Sequence, residues 1–443
     1  KALTIKPDFA EAHNNLGVTY KNLGKFDEAL NSYIQALILN PNYSEAYENF
    51  STVFIKSSFN SINRSLYPFL EFLISHGNFA RTSDLSKNIT SLLKHDLLLS
   101  ELLTKLDNLN NLQETINAIQ TLQKLPLLLT LMRISTIQDL QLERLFKTIR
   151  KIILNNISHI PDYQDLTSFL STLSLHCFAN GYIYFESKEE IQQIEYLENK
   201  ISQSLIQIED VRLIDVLCLA TYRPLTDYDW SKKLELFNQL PEIKLRLIDQ
   251  PLNEKALTKT IPLLRNISDN TSIKVMEQYM ENPYPRWEKL KILNQKIPIT
   301  KFCNQYNLKL YNENIRNISA PEILIAGCGT GQNSIEVAST FLNSQVTAID
   351  LSASSLAYAH RKTNELGIKN LNYLKADILD LKYLDRKFDI IDCSGVLHHM
   401  KDPMKGWQIL VNQLKSGGLM RVGLYSKLAR RHIDKIRKDI ISL

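Results

Sequence analysis

The sequence predicts an α + α/β chain: N-terminal helical repeats, a helical middle region, and then a parallel sheet with helices packed on it. Three observations carry that prediction. A 34-residue self-similarity runs through the opening segment. Leucine-rich stretches of helical period, cut by prolines, fill the middle. Short apolar runs then alternate with amphipathic ones toward the C-terminus. The expected boundaries are 1–60 for the repeats, 61–280 for the helical middle, 281–320 for a linker or lip, and 321–443 for the α/β domain. A length of 443 residues fits two or three domains.

Each repeat position has a physical task. The pattern is His13-x2-Leu16-Gly17-x2-Tyr20, then Ala29-x3-Tyr33, Ala36 and Pro41. Gly17, Ala29 and Ala36 are small where two antiparallel helices must touch. Leu16, Tyr20 and Tyr33 are expected to fill the seam, and Pro41 ends the second helix. Ala2 and Pro7 lie one period before Ala36 and Pro41. Phe50, Ser51 and Phe54 lie one period after Leu16, Gly17 and Tyr20, and then Asn63 and Ser75 break the pattern. This is the tetratricopeptide pattern, with His13 where tryptophan is usual. A groove of stacked helices suits a peptide or protein partner.

In the middle region, Leu92, Leu93, Leu97, Leu99, Leu102, Leu103 and Leu106 mark an apolar helical face, as do Leu140, Leu142, Leu145, Ile149 and Ile152. Pro126, Pro161, Pro224, Pro241, Pro251 and Pro262 divide it into short helices. His176-Cys177 sits in the apolar stretch Leu173–Phe178 and reads as core. At Asn282-Pro-Tyr-Pro-Arg-Trp287 two prolines impose a stiff extended segment. It reads either as a linker anchored by Trp287 or as a lip that turns Tyr284 and Arg286 toward an acceptor.

Glu322–Ala326 reads as a buried strand followed by Gly327-Cys328-Gly329-Thr330-Gly331, with a helix opening at Gln332. Such glycines let the backbone turn sharply and approach a ligand, and the new helix points free N–H groups at it. Strands are expected at Gln345–Ile349, Leu371–Lys375, Phe388–Cys393 and Leu419–Tyr425, with helices at Ser355–Leu366 and from Pro403. Asp350 closes the second strand 19 residues past Gly331, where a carboxylate accepts hydrogen bonds from both ribose hydroxyls. Asp377 follows the third strand and suits an exocyclic adenine amino group.

Residues 322–425 resemble the class I S-adenosylmethionine-dependent methyltransferases, whose sheet is Rossmann-like. The glycine loop, Asp350, Asp377 and Leu397-His398-His399 match in order and spacing. More narrowly, NPYPRW, ILIAGCGTGQ, GVLHH and GGLMRVGLYS resemble bacterial proteins that join tetratricopeptide repeats to such a domain. The resemblance implies S-adenosylmethionine as cofactor. It implies cofactor contacts at Gly327, Cys328, Gly329, Gly331, Gln332, Asp350, Leu351, Asp377, Ile378, Ser394 and Gly395. His398 and His399 are the candidate bases, since an imidazole titrates near working pH. Two departures stand out. Ile325 occupies the place, two before the first glycine, where the family has an acid that helps orient the cofactor's ammonium. Five strands are legible where the family has seven, so the sequence is expected to be a fragment of a longer protein, cut at both ends.

Two rival readings remain at this stage. A nicotinamide-dependent oxidoreductase also uses a glycine loop and an acid, but Gly-x-Gly-x-Gly and Asp377 disfavour it. A repeat scaffold whose domain only senses S-adenosylmethionine, or is degenerate, would tolerate Ile325. The methyl acceptor, small molecule or protein, is not legible.

Composition removes other classes. A hydrophobic share of 44% is enough to fill cores. Of the net charge of +5, the tail Lys427–Leu443 carries +4, with Lys427, Arg430, Arg431, Lys435, Arg437 and Lys438 against Asp434 and Asp439. No aromatic residue interleaves with those charges, so a solvated helix face is expected there rather than nucleic-acid binding. The five cysteines, Cys177, Cys218, Cys303, Cys328 and Cys393, are scattered and lack any Cys-x-x-Cys pair. Neither disulfides nor a metal site is expected, and a reducing cytoplasm fits. No apolar run approaches the roughly 18 residues of a membrane span, and no signal peptide opens the sequence, which starts at Lys1.

Overall fold

Helices Ala10–Asn22 (α1), Phe26–Leu39 (α2) and Ser44–Phe54 (α3) form the repeats. The structure, a computed structural model, describes residues 2–441 except 78, 162–163, 208–209, 234, 282, 293–294 and 427. Asn282, Lys427 and Leu443, named above, lie outside the described residues. Gly17 of α1 is needed because a Cβ there would come within 2.5 Å of the Tyr33 ring on α2. Ala29, Tyr33 and Ala36 are fully buried, while Leu16 and Tyr20 are only half-buried. α2 stops at Leu39, two residues before Pro41. Asn14 ties α1 to the next repeat. Its amide nitrogen donates to Glu45 Oε1 at 3.3 Å, and its carbonyl accepts from Asn49 at 3.1 Å.

Two compact units are present: residues up to Pro251 with Arg286–Lys291, and Leu252–Pro285 with Ile292 onward. Among the described residues, the regular elements of the first are all helices. In its helix Gln164–Ala179, His176 and Cys177 are core residues, as expected from the apolar stretch around them. Burial pushes the His176 imidazole down to about 4 and the Cys177 thiol up to about 12. Arg286 belongs to this unit and sets its guanidinium 4.4 Å from the centre of the Phe178 ring. Among the described residues no helix is long and apolar enough to cross a membrane.

The second unit begins within helix Gln250–Leu257, continues through helix Asn270–Glu281 (α4) and then builds the sheet. Its parallel strands are Glu322–Ala326 (β1), Gln345–Asp350 (β2), Leu371–Lys375 (β3), Phe388–Ser394 (β4) and Leu414–Gly423 (β5), in the order β3-β2-β1-β4-β5. Helices Gln332–Thr340 (α5), Ala353–Glu365 (α6) and Pro403–Gln413 (α7) connect them, and Arg431–Ile441 (α8) follows. The strand order reverses about β1, which opens a crevice at its C-terminal end between β1 and β4. Alternation sorts the two faces. Leu324, Ala326, Ile391 and Cys393 pack with Phe388, Leu397 and Leu410 in one core, so Ile325 and Asp392 point to the opposite face.

β5 begins five residues earlier than the sequence suggests and ends at Gly423 rather than Tyr425. The reason is a register shift against β4 between Phe388 and Ile390. Gly418 makes it possible, since a Cβ there would sit 2.8 Å from the Asp389 carbonyl oxygen. At the other side of the sheet the segment before α4 pairs with β3. The Leu264 N–H donates to the Lys375 carbonyl at 2.9 Å, and the Lys375 N–H to the Pro262 carbonyl at 2.8 Å.

Arg361 on α6 is almost wholly buried, and its Nε donates to Glu254 Oε1 at 2.8 Å, with Glu365 as its second carboxylate. A buried guanidinium stripped of its better-buried partner keeps the desolvation cost and loses the compensation. Glu254→Ala is therefore expected to destabilise the second unit by about 3 kcal/mol. The measurement is the urea midpoint of that unit's transition; an unchanged midpoint would show that Glu365 alone suffices.

Candidate functional site

The site is assembled at the C-terminal ends of β1, β2, β3 and β4. In the glycine loop, Gly327, Gly329 and Gly331 have φ of +78°, +51° and +88°. They do different work. A Cβ on Gly327 would lie 2.3 Å from Val396 and one on Gly331 2.6 Å from the Ala359 Cβ, so these two glycines permit close packing. A Cβ on Gly329 would meet nothing within 4 Å. That glycine borders open space. Cys328 turns its thiol into the protein, where burial pushes it well above the usual thiol range, and contributes backbone only. Gln332 is the half-buried first residue of α5.

Asp350 fixes this loop. The Gly329 N–H donates to its Oδ2 at 2.8 Å and the Ser352 N–H to its Oδ1 at 2.9 Å. Part of the residue's surface opens at the mouth while its carboxylate is crowded by protein, and this burial raises its pKa against the lowering effect of those N–H bonds. Leu351 beside it is half-buried. Asp377, at the β3 end, is buried and accepts the Leu379 N–H on Oδ1 at 2.9 Å. Ile378 packs into the core below. Ser394 and Gly395 are exposed at the β4 end, with no neighbour to obstruct a Cβ on Gly395. The structure thus brings the predicted cofactor residues to one rim, though Cys328 and Ile378 turn their side chains away from it.

His398 lies at the same rim, half-buried against Tyr425, with ring centroids 3.7 Å apart, and 4.3 Å from the His399 ring. Neither of its ring nitrogens has a hydrogen-bond partner among the described residues. Its pKa is lowered by burial first, then by His399 and Arg430; that of His399 is lowered by burial and Arg430. Both are therefore neutral imidazoles near pH 7, able to accept a proton.

Several contributors were missed by sequence reasoning. Tyr279 on α4 has its phenol pKa raised by burial first and then by the neighbouring Tyr425 and Asp350, and its carbonyl accepts the Ser352 hydroxyl at 2.9 Å. Thr330 of the glycine loop donates its hydroxyl to the Pro285 carbonyl at 2.8 Å, so the proline-rich segment reaches the loop. Asp392 on β4 pairs in register with Ile325 and accepts from Asn333, Ser394 and Arg421. Only strand alignment could have revealed Asp392, because its sequence neighbours are those of any buried strand.

Two carboxylates stand at adjacent strand ends, a left-handed loop leaves open space at Gly329, and helix α5 starts directly behind it. Among the described residues no three His, Cys, Asp or Glu side chains gather as a metal site.

Residues 319–440 match the family model described as a methyltransferase domain, and residues 10–43 match the tetratricopeptide repeat. An uncharacterized protein of Synechococcus sp. is 34% identical over 127 residues, covering 28% of this chain and 30% of its own length. The ubiquinone biosynthesis O-methyltransferase of Rickettsia canadensis is 29% identical over 129 residues, 29% of this chain and 53% of that one. The solved [4+2]-cyclase SpnF is 30% identical over 24% of this chain and 38% of its own, with a TM-score of 0.22. This chain therefore spans about half or less of the length of these relatives. It carries a tetratricopeptide repeat and a methyltransferase domain.

The two kinds of glycine separate experimentally. Gly331→Ala combines a left-handed φ with a contact at 2.6 Å and is expected to lower the melting temperature by several degrees. Gly329→Ala meets no neighbour, costs about 1 kcal/mol of backbone strain, and is expected to fold while losing ligand affinity. Thermal melts of both, with binding measured on the folded variant, check the assignment; wild-type affinity in Gly329→Ala would remove Gly329 from the binding surface.

Proposed function

We propose that the second unit transfers a methyl group from S-adenosylmethionine to an acceptor, in the manner of a class I methyltransferase, and that the repeats dock the acceptor or a partner protein. One observation carries the reading. In sheet order β3-β2-β1, the strand ends present Asp377, Asp350 and the glycine loop, which is the order of adenine, ribose and methionine in the cofactor.

When bound, S-adenosylmethionine supplies an electrophilic methyl group on a positively charged sulfur. What this chain adds is alignment. Asp350 would accept the ribose hydroxyls on the lone pairs left by Gly329 and Ser352, and Asp377 would take the adenine amino group on its remaining acceptor capacity. Gly329 leaves room for the thioether chain. Displacement at a methyl group with a good leaving group needs chiefly a held geometry. If the acceptor must lose a proton, His398, whose ring nitrogens have no hydrogen-bond partner among the described residues, would take it, with the His399 ring beside it. Ubiquinone biosynthesis relatives support methyl transfer as the reaction and leave this chain's acceptor open.

S-adenosylmethionine is expected to bind the full chain at micromolar level and NAD not at all, by equilibrium titration. Asp350→Ala is expected to abolish that binding, whereas His398→Ala keeps it; equal loss from both would refute the division of roles. Ribose hydroxyls stabilise the ionised carboxylate, so binding lowers a pKa that burial has raised. Binding must then release protons and tighten as pH rises through the window above the ordinary carboxylate value of 3.8. Calorimetry in buffers of differing ionisation heat reads the sign; proton uptake would contradict it. The methyl-transfer rate is expected to rise along a limb below the ordinary histidine value of 6.5 and to stay flat above, the limb vanishing in His398→Ala.

A further inference from the structure

We propose that Asp392 and Arg421 grip the amino-acid end of S-adenosylmethionine, Asp392 taking the ammonium and Arg421 the carboxylate. This rests on the reading above and supplies what Ile325 cannot. The argument starts from sheet order. With adenine over β3, ribose over β2 and the sulfonium beside the glycine loop of β1, a linear ligand continues to the next strand, β4. Neighbouring strands lie about 4.8 Å apart, so one more strand spacing carries the chain from sulfur to the amino-acid head.

At that point β4 holds Asp392, paired in register with Ile325 on the same face of the sheet. A carboxylate one strand across from Ile325 lies at the same depth, two residues before the loop turns. It is also preorganised. Asn333, second residue of α5, donates its amide to Asp392 Oδ2 at 3.1 Å, and Arg421 donates to the same oxygen. Among the described residues, Oδ1 takes only the Ser394 hydroxyl, at 2.9 Å. A carboxylate oxygen accepts two hydrogen bonds, so Oδ1 retains one place for an ammonium N–H.

Arg421, on β5, stands opposite Asp392 in register. Among the described residues its hydrogen bonds run through Nη2, to Asp392 and to the Asn333 carbonyl at 3.0 Å, and its side chain is 65% exposed. Nε and Nη1 remain for a carboxylate, the anion a guanidinium fork fits best. Because Asp392 is buried while the guanidinium lies mostly in water, solvent screens Arg421 against the incoming ammonium more than it screens Asp392. An adjacent buried acid and open arginine match the zwitterion at the methionine end. Neither adenine nor ribose offers that charge pattern.

Isothermal titration of the full chain with S-adenosylmethionine, S-adenosylhomocysteine and 5′-methylthioadenosine tests this, since the last lacks both head charges. Asp392→Asn and Arg421→Gln are each expected to weaken the first two ligands about ten- to a hundredfold and to leave methylthioadenosine within about twofold of wild type. Adding Ile325→Asp to Asp392→Asn should recover affinity for the charged ligands. If Asp392→Asn does not fold, the exposed Arg421→Gln carries the test. Unchanged affinity for S-adenosylhomocysteine, or equal weakening of all three ligands, overturns the proposal. Wild-type protein that binds methylthioadenosine as tightly as S-adenosylhomocysteine overturns it alone, whereas binding of none of the three overturns the cofactor reading beneath it.

Discussion

The site depends on one carboxylate. Asp350 accepts the N–H of Gly329 from the loop after β1 and the N–H of Ser352 from its own turn, and so holds two strand ends to one point. A crowded carboxylate needs such donors, because an unpaired one would be too costly to keep. Backbone N–H groups become available only where a chain leaves regular structure. The same β2 terminus does more: the Ile349 carbonyl accepts from Gly327 and Cys328, and the Asp350 carbonyl accepts from Ala376 at the β3 end. Three strand ends are therefore registered by β2.

From that anchor the chemistry divides about β1. On the β2 and β3 side stand Asp350 and Asp377, acids whose free acceptor capacity suits hydroxyl and amino groups. On the β4 and β5 side stand Asp392, Ser394, Arg421 and His398, which combine charge of both signs with a neutral base. A sheet that reverses its order at β1 places these two sets over one crevice while drawing them from sequence positions up to 71 residues apart. Within the glycine loop, Gly329 leaves open space between them, while Gly327 and Gly331 let their neighbours pack close.

The repeats show how far pattern reading reaches. Gly17, Ala29 and Ala36 do what a 34-residue periodicity requires of them, because they are buried where the helices touch. Leu16 and Tyr20 fill the same pattern yet remain half-buried, since their burial depends on what lies across the seam. Asn14, which bridges to Glu45 and Asn49, escaped the pattern altogether. A buried polar residue is recognised by its partners, and those lie about one period away.

Sequence alone determined the helical repeats, the five strands, the glycine loop and the acids at the β2 and β3 ends. Those features are local: periodicity of two or 3.6, a backbone that only glycine can turn, and a carboxylate at a strand end are all written in adjacent residues. Tertiary structure decided the rest. The start of β5 moved because Gly418 lets the chain approach Asp389, a contact between residues 29 apart. The pairing of Ile325 with Asp392, the stacking of His398 on Tyr425 and the seating of Pro262 and Leu264 beside β3 all arise from strand order and packing. Register between distant strands is fixed by the whole sheet at once, and no window along the chain contains it.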